Sequence, residues 1–521
     1  NTPAGWDFGS STIVWDGSSS SAWNTAENWN IGVVPSTYDN ISIPEVSAST
    51  LVLETSPTIN NITIDADGVV DGADQTLTVT GNWVNNGSFV CSTGTVAFAG
   101  TTSISGSSAT TFNNVNITSG SLTAPSNMYV GGGFINDGSF INNNGTVTFV
   151  NDASVSGTNS TTFNNIVISG QLTGSSSLAM YVAGSWTNSG TYVHNSGTVV
   201  FVGGDAAITP GSYGTFNMID VNATGTKTLA GNLATVGAFY MNGGTLAIGT
   251  YDMYVGGVGI INAGTVTMGS SSSNGWTVVG DLTVGANGSV SCPGNATSKI
   301  NVGGNLVLDG TFVYGRSTLT MTGSNVSLIN AGSVQNNRFY NIVINSAGTV
   351  TIAGGNINPF NDVSILSGTL YLEKNVYMCA WDDGNLYIAD GASLSGPGQF
   401  RIASGTVSTT GAINCATFEY GYSYSAEAGT FSNIQVRTYD SFVLLNSNHT
   451  VTYKTTGAGT IIITGGLVIS NSSSTSGQTT FLNDNNTNIV TPFVQVGSGN
   501  GAAVYNAGSE AITITSGSFT V

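Results

Sequence analysis

The sequence predicts an all-β fold, a parallel β-solenoid, and three observations carry that expectation. The composition suits turns and short strands, the apolar residues alternate with polar ones at period two, and one motif recurs along the chain at a nearly fixed step. Only 7% of the 521 residues are charged, whereas 40% are hydrophobic and 9% aromatic. An ordinary globular chain carries about 25% charge. Low charge alone would fit a disordered tract, but this apolar content is enough to build an interior. Gly contributes 71 residues, and with Asn and Ser it supplies turns, while Val, Ile, Thr and the aromatics supply strands.

The alternation is local and clear. Leu77 and Val79 alternate with Thr78 and Thr80, and Val115 and Ile117 with Asn114 and Asn116. Such runs of four to six residues between Gly, Asn and Ser are the strand signature, and no stretch holds a helical period. Asn86-Gly87, Asp137-Gly138 and Asn287-Gly288 are turn dipeptides.

The repeat decides how the strands are arranged. Asn82-Trp83-Val84-Asn85-Asn86-Gly87-Ser88-Phe89 matches the segments beginning at Gly133 and Ser185, at steps of 51 and 52. Each continues into Gly-Thr-Val (Gly94, Gly145, Gly197), an aromatic (Phe98, Phe149, Phe201) and Thr-Phe-Asn (Thr111, Thr162, Thr215). A diverged copy runs from Arg338 to Asn345, and Met-Tyr-Val recurs at Met128, Met180 and Met253, at steps of 52 and 73. Two and three coils of about 25 residues account for both steps. Equivalent strands one coil apart then stack in parallel at about 4.8 Å, with inward Phe and turn Asn forming ladders. A kelch-like β-propeller or tandem β-sandwiches are the rival folds; the longer Met-Tyr-Val step is not a whole number of ~50-residue blades.

Three regions follow. Residues 1–50 form an N-terminal cap or docking segment holding Trp6, Trp15, Trp23 and Trp29, half of the eight tryptophans. Residues 51–345 hold the recognisable repeats. Residues 346–521 stay strand-like with decayed repeats and end on an uncapped, alternating strand.

Charge excludes some functions. Eight Lys plus Arg stand against 27 Asp plus Glu, a net −19, which disfavours nucleic acid and anionic membranes. No apolar run approaches the ~18 residues of a spanning helix. The sequence begins at Asn1 and reads as a mature, exported product whose signal peptide has been removed.

The segment Trp15-Asp16-Gly17, Trp23, Asn28-Trp29, Pro35, Asp39 and Ile41-Ser42-Ile43-Pro44 resembles a module common beside repeats in large secreted bacterial surface proteins. The Gly-Asn-Trp…Asn-Gly-Ser-Phe…Gly-Thr-Val…Phe…Thr-Phe-Asn-Asn repeat is similar to β-helical adhesin-type repeats, over the chain to about residue 345. The resemblance implies export, a cell-surface or extracellular setting, and a structural or adhesive role.

Candidate chemistry is sparse. Lys227, Lys299, Lys374, Lys454, Arg316, Arg338, Arg401 and Arg437 stand singly, without the paired carboxylates a glycosidase needs. Asp382-Asp383 reads as a turn, so no enzyme is expected. Asp65, Asp67, Asp71 and Asp74 alternate with Gly, a pattern that suits calcium and equally a plain turn. Of the four cysteines, Cys91 and Cys292 occupy equivalent repeat positions too far apart to bond, which leaves Cys379 and Cys415 as the candidate disulfide. Asn86 and Asn144 head glycosylation sequons in turns. The expected partner is the chain itself, head to tail, with Trp6, Trp15, Trp23 and Trp29 meeting the terminal strand of Ile512, Ile514 and Phe519. The alternative is a monomeric adhesin that binds a glycan.

Overall fold

A computed structural model describes residues 12–45 and 50–520, apart from 213–214, 270–274, 295–296, 332–337, 381–383, 403–405, 422–428, 436–437, 447–450, 457–458, 472–477, 483–486, 498–501, 507–511 and 516–518. Asp382-Asp383 and Trp6 fall outside the described residues. The chain divides into two compact units, 1–247 and 248–521. Both are β-solenoid, with parallel strand pairing and about 19 turns in all. Among the described residues the one antiparallel bridge joins Trp15 to Trp29, and the only helix is the 3-10 turn Ala26–Asn28.

Over residues 51–217 of the first unit each coil has three short strands, and a strand pairs with the third strand before it and the third after it. Leu77, Val96, Val115 and Phe134 lie in register, one to a coil. Their positions in the chain make the coil shorter than the expected length of about 25 residues. Three strands of two to five residues joined by three tight corners need no more chain. Apolar residues point in and Thr, Asn and Ser point out, which is why the period-two pattern survives around every face.

The shorter coil corrects the expected ladders. Strand Trp83–Asn85 is followed eight strands later by Gly133–Asn136, and that one eight strands later by Trp186–Asn188. With three strands per turn, one sequence repeat is 8/3 turns, so successive copies land on different faces. Trp83 stacks between Ile62 and Ile104, Phe134 between Val115 and Val155, and Trp186 between Ile166 and Ile208. The aromatic residues gather within a repeat instead. Phe112 lies 5.3 Å from Trp83 and 5.9 Å from Phe98, Phe163 lies 5.3 Å from Phe134 and 5.9 Å from Phe149, and Phe216 lies 5.2 Å from Trp186 and 5.3 Å from Tyr192, all centroid to centroid. The tilted and edge-on geometries are those aromatic quadrupoles favour.

The motif Asn residues also work between coils. Asn85 and Asn136 are buried, and their Nδ2 groups donate to Thr110 and Thr161 Oγ1 at 3.0 and 3.2 Å. Asn188 Nδ2 donates to the Pro210 carbonyl at 2.8 Å. At the corners, Asn86 Oδ1 accepts from Ser107 N at 2.9 Å and Asp137 Oδ1 from Thr158 N at 2.8 Å. Side-chain acceptors thus satisfy backbone donors that the corner pulls out of the ladder.

From Met218 on, many strands are much longer and bend through a corner, as in Asn341–Ala353 and Val363–Leu372. Register shifts mark the bend. Gly368 sits there at φ +76°, with the Gly348 carbonyl where a Cβ would go.

Candidate functional site

At the N-terminal end, Thr12–Val14 pairs with Asn40–Ile43, and the intervening segment folds over it. Trp15, Trp23 and Trp29 are all about 1% exposed. Trp29 lies edge-on to both others, 5.3 Å from Trp15 and 4.9 Å from Trp23, and its Nε1 donates to the Trp23 carbonyl at 2.9 Å. Buried Asn28 accepts from Ser19 N and Ser20 N and donates to the Ala22 carbonyl. These three tryptophans are therefore buried within their own segment, and their rings are not themselves the exposed contact surface expected of them. The reason is that each ring buries a large apolar surface against the others while the Trp29 N–H finds a carbonyl inside the segment. The exposed apolar residues of this segment are Ile31, Val33 and Tyr38.

At the other end, Ile512 stands in register with Ile489 and Phe519 with Val494. Ile489 and Val494 are fully buried, whereas Ile512 and Ile514 are half-buried and Phe519 is exposed. No later strand among the described residues covers them.

The acidic run forms two corners. Asp65 and Asp67 occupy the first, where the Asp65 carboxylate accepts from Ser42 Oγ and Asp67 adopts φ +64°. Asp71 and Asp74 occupy the second; Asp71 Oδ1 accepts from Ala73 N at 2.9 Å and Asp74 Oδ1 from Gln75 Nε2 at 2.7 Å. Among the described residues no three His, Cys, Asp or Glu side chains gather closely enough to hold a metal ion. Asn144 is exposed in a left-handed turn, φ +55°, while the half-buried Asn86 carboxamide is engaged by Ser107.

All four cysteines are free thiols, so Cys379 and Cys415 are not bonded to each other. Cys379 stands in register with Arg401 in the next coil, and Arg401 with Glu419 in the one after. Two coils on, the column has thus passed Cys415 by four positions, and Cys415 instead stands opposite Gly396.

That column forms an ionic cluster that the sequence did not reveal. Arg401 Nη2 and Nε both donate to Glu419 Oε2, at 2.6 and 2.7 Å. The guanidinium carbon lies 5.1 Å from the Tyr377 ring centroid. Met378, Phe400 and Phe418 on the same strands point inward, with Phe400 and Phe418 stacked at 5.8 Å. Burial pushes the Tyr377 phenol up, aided by Cys379, and pushes the Cys379 thiol up to about 11. Both stay protonated at neutral pH, so neither is a ready nucleophile. The signal that could have exposed the Arg401–Glu419 pair is a sequence separation close to one coil, and that separation is informative only once the coil length is known.

Lys227 is a further buried ionisable group. Its amine donates to the Ala183 carbonyl at 2.7 Å, two coils earlier. Burial lowers it to about 8, against the opposing effect of Asp205. No helix among the described residues is long and apolar enough to cross a membrane. In comparisons with known proteins, no family model, no curated protein and no solved structure matches the chain.

Proposed function

We propose that the chain is a non-catalytic structural subunit of a self-assembling extracellular filament or cell-surface layer, joined to further copies by adding coil to coil. The observation that carries this reading is the unbroken addition of parallel coils in register, with apolar residues facing inward and backbone edges facing along the stack. A β-edge with apolar residues behind it is a template for another strand. The complementary surface is the outer side of the cap, bearing Ile31, Val33 and Tyr38. Such a heterologous contact repeats without closing and gives a fibre. Supporting the structural role, two of the few cationic side chains hold coils together: Arg401 with Glu419, and Lys227 with the Ala183 carbonyl. The extracellular setting rests on the scarcity of charge and on the resemblance to secreted surface repeats.

Sedimentation velocity and negative-stain microscopy test the assembly. The chain should form concentration-dependent filaments, and Ile514→Lys should leave a folded monomer. A chain that stays monomeric at every accessible concentration overturns the proposal and favours a monomeric adhesin.

A further inference from the structure

One outward stack in the second unit is continuous over seven coils. Tyr254, Thr277, Asn301, Thr320, Val343, Ser364 and Tyr387 follow one another in parallel register. The five central side chains are short, and the two end rings stand proud, 49% and 43% exposed. Six steps of about 4.8 Å place the tyrosines about 29 Å apart along the stack. Asn301 Nδ2 donates to Thr277 Oγ1 at 3.1 Å. Among the described residues the Thr320 and Ser364 hydroxyls have no protein partner.

We propose that this stack is a binding strip for a neutral, unbranched polysaccharide lying along the coil axis. A pyranose has an apolar C–H face and a rim of hydroxyls. A Tyr ring offers the first a flat, weakly negative platform, and hydroxyl and carboxamide groups match the second. A sugar residue spans about one rung, so successive sugars meet successive coils. Charge selects the polymer. The strip itself carries no ionisable group besides its tyrosines. Its flank holds Lys299, in register with Thr318, and two carboxylates, Asp252, whose Oδ1 accepts from Gly275 N at 2.8 Å, and Asp362, whose Oδ1 accepts from Asn385 N and Nδ2 at 2.9 and 3.0 Å. The chain's net −19 repels polyanions at long range. The strip is separate from the terminal strands, so it stands or falls independently of filament formation.

The test is affinity electrophoresis and calorimetry of the full chain against neutral glucans, mannans, xylans and chitin oligomers, with polygalacturonate as the polyanion control. At least one neutral glycan should bind, and Tyr254→Ala and Tyr387→Ala should each weaken it about tenfold, the worth of one aromatic platform. Tyr371→Ala is the control: that ring is also 36% exposed but lies past the Gly368 corner, in register with Thr351 and Ser395. It should change affinity less than twofold, with circular dichroism verifying that all variants fold. Three results overturn the proposal: no neutral glycan binds, polygalacturonate binds as tightly, or Tyr371→Ala weakens binding as much as the other two.

Discussion

Replacing Phe163 by Ala removes a fully buried ring that touches three others, Phe134 at 5.3 Å, Phe140 at 5.6 Å and Phe149 at 5.9 Å. Truncating a buried Phe costs about 3–5 kcal/mol through lost transfer and the cavity left behind. Each aromatic contact adds about 0.5–1.5 kcal/mol beyond area, so three contacts place this site near the top of that range. The architecture also fixes where the damage appears. Aromatic clusters belong to single repeats, and neighbouring repeats occupy different faces. Hydrogen exchange should therefore show lost protection around strands 133–136 and 161–168 and in strand 114–117 paired to the first of them, with little change at 58–64, several coils earlier. A repeat protein need not unfold in one step, so local opening energies are the appropriate readout. A double-mutant cycle sharpens the test. Phe163→Leu should couple to Phe134→Leu and be additive with Phe112→Leu, within about 0.5 kcal/mol. Phe112 and Phe163 are equivalent positions of successive repeats. Strong coupling between them would mean that repeats stack on one face and would refute the 8/3-turn reasoning.

Removing one partner of the Arg401–Glu419 pair strands a mostly buried charge; Arg401→Ala or Glu419→Ala should each cost about 3–5 kcal/mol by denaturant unfolding, and the apolar pair Arg401→Met with Glu419→Leu much less. Thiol labelling of the folded chain at pH 8 should modify Cys91 alone, the half-exposed one, since Cys292 is buried with its pKa raised to about 12, Cys379 is raised to about 11, and Cys415 is fully buried; labelling of all four at equal rates without denaturant would contradict the burial. Lys227 gives a pH signature. Its folded value, about 8, lies below the ordinary 10.5, so between those limits the unfolded chain holds more protons and stability rises with pH. Buried thiols and phenols pull the opposite way above about pH 9, so the measurement is the difference between wild type and Lys227→Met, which should grow in favour of wild type by about 1–3 kcal/mol from pH 7 to pH 10.5; a flat difference would show that burial does not lower the amine.

The period-two runs, the turn residues between them and the recurrence of one motif were enough to specify parallel coils with an inward apolar face, because alternation dictates which side of a strand is buried whatever the strand pairs with. The same recurrence misled on coil length in the first unit, where coils are shorter than in the second. A repeat can end partway around a turn, so the spacing of the Trp83, Phe134 and Trp186 segments divides as readily into 8/3 coils as into two. Only the pairing of Val96 with Val115, and of Val115 with Phe134, measures the coil. The other differences come from that point. Cys379 and Cys415 looked like neighbours, and Arg401 looked solitary, because side-chain distance across coils depends on local coil length and not on separation in sequence. Likewise a cluster of Trp residues announces a large apolar surface near the N-terminus, but whether that surface faces outward or closes the first coil depends on how the chain between Trp15 and Asn40 folds back. What the sequence determined by itself is everything set by a strand's own two faces. What the tertiary structure decided is everything set by register between coils: which rings cluster, which charges pair, and which tyrosines share an outer face.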